Sequence, residues 1–172
     1  MPGLFRSRRE RPPRAALAGL PADDRVLTWA TLDDGQLMLA TRYGLWLPDR
    51  DERLLPWYRI VRATWRDGVL GLVEAVEHDP GVMVESPPRR YRLVEPRRLP
   101  HTVRQRIENS IGYTARHHLD PTGSVYVVGR RVAGQDGLTW YLVFDADANP
   151  DDPLVRARAE ELLGQARAAT NL

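Results

Sequence analysis

The chain has no cysteine and no lysine among its 172 residues. Without cysteine there is no disulfide, no thiolate nucleophile and no cysteine-ligated zinc or iron–sulfur site. Without lysine there is no Schiff-base chemistry, no attachment point for pyridoxal phosphate and no phosphate-loop lysine. All 25 basic residues are therefore Arg. Arg serves wherever a positive charge is needed, so its identity alone does not mark bidentate recognition. Long apolar runs are missing too, and none approaches the roughly 18 residues of a membrane-crossing helix. The basic N-terminus is not followed by an apolar stretch, so it does not read as a secretory leader. These absences set the expectation of a cytoplasmic protein.

Catalytic motifs are equally scarce. The four serines, at 7, 86, 110 and 124, lie outside any Gly-x-Ser-x-Gly elbow. No glycine-rich phosphate loop is present. His78, His101, His117 and His118 lack the His-x-His or i,i+4 spacing of a metal site, and consecutive residues of a strand face opposite ways. The acidic pairs Asp23-Asp24, Asp33-Asp34 and Asp151-Asp152 flank turns or helix starts, where carboxylates accept backbone hydrogen bonds. No metal, no cofactor and no enzymatic activity are expected on these grounds.

What is present is β-patterned. Residues 26–32, 36–41 and 44–48 are short apolar and β-branched runs, punctuated by Asp33-Asp34-Gly35 and Tyr43-Gly44. This predicts an antiparallel meander whose first hairpin closes on an Asp-Gly turn. A fourth strand is predicted over 57–65 and, after Asp67-Gly68, a fifth over 69–76. Shorter strands over 82–84 and 91–94 are separated by Pro87-Pro88. Val103, Ile107 and Ile111 then recur every four residues, predicting a helix over 100–111 that opens on proline. Strands follow over 113–119, 124–132 and 138–144, the last apolar on nearly both faces and so central or covered. Asp151-Asp152-Pro153 is a helix start, followed by an apolar stripe at Val155, Ala159, Leu162, Ala166 and Ala169. The five Trp, at 29, 46, 57, 65 and 140, all fall in predicted strands, and most are expected in the core.

Up to seven short strands followed by an amphipathic helix resemble a pleckstrin-homology-like barrel. The stretch Leu37-Met-Leu-Ala-Thr-Arg-Tyr-Gly-Leu-Trp-Leu-Pro is similar to the second and third strands of bacterial pleckstrin-homology-like and GRAM-like proteins. Leu55-Pro-Trp-Tyr-Arg-Ile-Val is similar to their next strand. The whole chain also resembles small actinobacterial proteins of this layout. The resemblance implies an α+β fold: a pleckstrin-homology-like antiparallel β-barrel capped by a helix over 23–112. Residues 1–22 are expected to be a basic, disordered tail. Residues 113–172 form a β-β-β-α extension, a second small unit or a dimer interface. The resemblance also implies a binding module. Lipid-binding members carry basic residues near the first hairpin, where this chain has Asp33-Asp34-Gly35, which argues against phosphoinositide binding.

Two basic clusters are candidate contacts. Arg89, Arg90, Arg92, Arg97 and Arg98 precede the first helix. If 89–94 is a strand, Arg90 and Arg92 face outward while Tyr91 and Leu93 face in. Arg97 and Arg98 sit at the helix entry, where the dipole disfavours positive charge, which hints at a partner. Against this, such a row also blunts edge-to-edge aggregation. The tail residues Arg6, Arg8, Arg9, Arg11 and Arg14 suit nucleic acid phosphates or an anionic membrane, or serve as a solvated arm. Two functions follow: a non-enzymatic adaptor that presents a surface to another protein, or a nucleic-acid or membrane association protein led by the tail.

Overall fold

Glycines at positive φ and alternating apolar residues lay out the first strands. The structure is a computed structural model and describes residues 11–170. β1 (Val26–Leu32) pairs with β2 (Leu37–Thr41) across the turn at Gly35, whose φ is 82°. β2 pairs with β3 (Gly44–Trp46), and β3 with β4 (Leu54–Pro56). Gly44 is packed so closely on β4 that a Cβ there would meet the backbone of Leu55 and Pro56.

The fourth predicted strand is corrected. Its first residues, Trp57–Arg59, form one turn of 3-10 helix between β4 and β5 (Ile60–Arg66). Pro56 has no N–H to continue a ladder. The turn carries Trp57 inward, where its indole N–H donates to the Thr41 carbonyl at 3.1 Å. Trp57 is the one tryptophan that is buried; Trp29, Trp46 and Trp140 are half-buried and Trp65 is 43% exposed. The expectation of a largely buried set is therefore wrong. The strands alternate as predicted, but several Trp fall on the outward side.

β6 (Val69–Asp79) is longer than predicted and organises the molecule. One edge of its first half pairs with β5. Its other edge pairs along its whole length with β7 (Val82–Glu85) and then β8 (Arg89–Glu95), in pairs from Asp79↔Val82 through Val76↔Val84 and Leu72↔Arg89 to Val69↔Arg92. β7 and β8 are thus consecutive pieces of one strand track, interrupted where Pro87 and Pro88 have no N–H to give. β8 also pairs with β1, Leu32 opposite Leu93. The strand path is β4-β3-β2-β1-β8-β6-β7-β11-β10-β9, with β5 on the remaining edge of β6.

This eleven-stranded sheet, with two helices, is mixed α+β, and it does not close into a barrel. The expected closure fails because β4 and β5 are separated by the 3-10 turn and do not pair. The far half of β6 instead runs on into the second half of the sheet. α1 (Leu99–Ser110) buries Leu99, Val103 and Ile107 in the first core, where it meets β1, β2, β5 and the 57–59 turn.

The C-terminal strands continue the same sheet. β9 (Ile111–His118), β10 (Ser124–Arg130) and β11 (Thr139–Phe144) form an antiparallel set. β11 then pairs in parallel with β7, Leu142 opposite Val82. α2 (Pro153–Thr170) starts where Asp152 Oδ1 accepts the N–H groups of Leu154 and Val155 at 2.8 and 3.3 Å. It buries Val155, Ala159, Leu162 and Ala166 on Val125, Val127, Leu142 and Phe144, the second core. Among the described residues no helix is long and apolar enough to cross a membrane.

Candidate functional site

The basic segment does not converge on one surface. Arg90 and Arg92 are exposed on the outer face of β8, opposite Tyr91 and Leu93, which enter the first core. They border a shallow groove that also contains Asp33, Asp34 and Asp49, so the acidic first hairpin faces them. Arg89 lies toward Asp49 at 3.5 Å. The Tyr91 hydroxyl donates to the same carboxylate at 3.1 Å, and burial raises its pKa. Arg97 takes a positive φ of 45°, with its guanidinium carbon 3.4 Å from the Trp29 ring centroid and a 2.9 Å hydrogen bond to Glu95. A non-glycine residue in that region is strained, and the ring and the carboxylate hold it there. Arg98 is the N-cap of α1 and makes no side-chain cap.

The other sequence candidates are dispersed. Arg11 and Arg14 are exposed, Arg14 beginning a short 3-10 turn at Arg14–Leu17. Arg6, Arg8 and Arg9 lie outside the described residues. His117 and His118 are consecutive on β9, which places them on opposite faces, and His118 Nδ1 is 3.3 Å from Ser124 Oγ. His78 meets Asp151 at 2.8 Å, joining the far end of β6 to the approach to α2. Among the described residues no three His, Asp or Glu are grouped to hold a metal.

The feature that sequence reasoning missed is the free edge of β5. Among the described residues β5 pairs only with β6. Beside it runs a groove of about 680 Å³, lined by the consecutive residues Val61, Arg62, Ala63, Thr64 and Trp65. Side chains of a strand alternate between faces, so consecutive lining residues mean that the strand edge itself forms the wall. The opposite wall is α1, through Pro100, His101, Arg104, Ile107 and Glu108 at helical spacing. Arg97 lines one end. At the start of β5 the Ile60 carbonyl is already taken by Arg130 Nη2 at 3.1 Å, so the open edge begins after it.

The groove joins apolar surface to positive charge. Trp65 is the exposed large aromatic in its wall. Its lining includes Arg62, Arg97, Arg104, Glu108 and the imidazole of His101; Arg62 is paired from outside the groove by Glu85 at 3.7 Å and Arg97 by Glu95 at 2.9 Å. Arg104 and Glu108 pair with each other at 2.8 Å, one turn apart on α1. This arrangement can take an extended chain by main-chain hydrogen bonds and orient it by charge. No family model matches the chain, and neither a curated protein nor a solved structure matches it at a significant level.

Proposed function

We propose that this chain is a non-enzymatic, pleckstrin-homology-like binding module that adds an extended segment of a partner protein to the free edge of β5. The fold reading is supported by seven antiparallel tracks, counting β7 and β8 as one, followed by a helix lying over their core. The function rests on one observation, the five consecutive residues of β5, paired to β6 on one edge and open on the other, lining a groove against α1. An exposed strand edge is a template for another strand, and many recognition modules use it so. Each main-chain hydrogen bond contributes about 0.5–1.5 kcal/mol net, so a five-residue addition with one aromatic anchor gives a specific, reversible complex. Arg62 and Arg104 are half or more exposed beside their Glu partners and can share their outer N–H groups with a second carboxylate, which favours a segment with apolar and acidic residues.

The test is selection of 15-residue peptides from a displayed library against the full chain. Selected peptides are expected to be enriched in Asp and Glu beside apolar residues. Binding should slow amide exchange at those N–H groups of Val61 to Trp65 that point away from β6. Trp65→Ala should weaken binding by roughly thirtyfold, about 2 kcal/mol, at nearly unchanged Tm. Arg90→Glu with Arg92→Glu, on the face away from α1, should leave groove binding unchanged. Peptides that bind the Trp65→Ala variant as well as the parent, without protecting β5, rule out this site.

A further inference from the structure

The second half of the sheet has two apolar faces, and α2 covers one of them. The other carries Ala75, Met83, Val128 and Val143, with Tyr126 and Tyr141 packed against them, and it meets Tyr58 and Val61 from the first half. A cavity of about 230 Å³ remains at this junction, separate in its floor and far wall from the groove beside α1. Tyr58 and Tyr141 stack at one side, ring centroids 5.7 Å apart and nearly parallel at 8°. Burial raises the pKa of the Tyr141 hydroxyl, so it stays neutral. The volume is that of roughly eight water molecules at about 30 Å³ each, enough for one ring or a short branched chain.

A charge stands in this apolar wall. Arg130 lines the cavity and is 5% exposed. Its guanidinium donates to Ser110 Oγ at 2.8 Å and to the Ile60 carbonyl at 3.1 Å. No carboxylate among the described residues lies within ion-pair distance of it. The other cation in the lining, Arg62, is answered by Glu85 at 3.7 Å. Burial lowers the pKa of Arg130 to about 10, which still leaves it charged near neutral pH. A buried charge without a counterion is unfavourable, and a native chain keeps one where something supplies the opposite charge. Guanidinium presents parallel N–H donors that match the two oxygens of a carboxylate.

We propose that the junction cavity binds a small monocarboxylate with an aromatic or branched apolar body, its carboxylate on Arg130 and its body among Tyr58, Met83, Tyr141 and Val143. The site goes beyond the β5 groove and does not depend on it. The experiment titrates the full chain at pH 7 with benzoate, phenylacetate and 3-methylbutanoate, each beside its neutral amide, by calorimetry and amide chemical shifts. At least one acid is expected to saturate, with shifts confined to the strands that line the cavity (β5, β6, β7, β9, β10 and β11) and the 57–59 turn, and absent from β1 to β3 and α2, and to bind about tenfold or more tightly than its amide. Arg130→Met should erase the preference for acid over amide. Met83→Trp should fill the cavity and abolish both. Equal binding of acid and amide by the parent chain, or no saturation by any of the three acids, overturns the proposal without recourse to either variant. So does an acid that binds Arg130→Met unchanged.

Discussion

Replacing Glu74 with leucine is expected to lower folding stability by about 3–5 kcal/mol, the usual result of removing one member of a buried ionic cluster. Glu74 sits on β6, 7% exposed, with Arg50 on one oxygen at 2.6 Å and Arg59 on the other at 2.9 Å. Both Arg side chains are themselves largely covered, at 14% and 23% exposure. The carboxylate thus ties the loop after β3 and the turn after β4 to the middle of β6. Leucine matches the volume roughly but leaves two guanidinium groups facing each other with no anion between them. The change should appear in urea unfolding as a lower midpoint with unchanged slope, and it should persist at high salt because covered pairs are weakly screened. Glu74→Leu combined with Arg50→Met should recover part of the loss, a coupling of about 1–3 kcal/mol. A Glu74→Leu chain within about 1 kcal/mol of the parent would show that the cluster is not a structural tie.

What the sequence made legible was local. Asp67-Gly68 read as a hairpin turn, and both residues take positive φ, 51° and 75°. The helices read well because their apolar residues recur on one face: the prediction over 100–111 meets Leu99–Ser110, and the Asp152 cap lies where the acidic pair and proline placed it. The inward Tyr91 and Leu93 and outward Arg90 and Arg92 follow from strand alternation alone. The extension of β6 to Asp79 was hidden because Glu77, His78 and Asp79 are polar and exposed, and only their pairing to β7 makes them strand. The parallel union of β11 with β7 joins segments about sixty residues apart and leaves no local mark.

The candidate sites were less legible, for physical reasons. An unpaired edge is defined by what does not lie beside it, so Val61 to Trp65 look like any strand until the sheet order is known. Eight residues apart, Trp57 and Trp65 would share a face of one continuous strand; the 3-10 turn sends Trp57 inward and leaves Trp65 on the outward side of β5. Arg130 carried no signal because every cation in this chain is Arg. Its distinction is burial without a carboxylate, which depends on α1, β5 and β10 meeting. The basic segment 89–98 was conspicuous in sequence, and its residues separate because strand, strained turn and helix cap send them different ways.

The largest packing effect is expected at Phe144, which is fully buried in the second core beneath α2. Phe144→Ala should cost about 3–5 kcal/mol, the transfer of the ring plus the cavity left behind. The more informative outcome is how the loss is distributed. β6 contributes Leu70 and Leu72 to the first core and Ala75 to the apolar face of the second half of the sheet, without a break between them. Arg130, on β10, donates to the Ile60 carbonyl of β5, a second tie across the junction. Opening the second half would therefore strip the far part of β6 and loosen β5, so the first half should not survive it. Single-tryptophan versions of the variant, keeping either Trp57 in the first core or Trp140 against the second, are expected to report one urea transition with the same midpoint. A Trp140 signal lost well before the Trp57 signal would mean that residues 111–170 unfold alone, and that the shared strand does not couple the two cores.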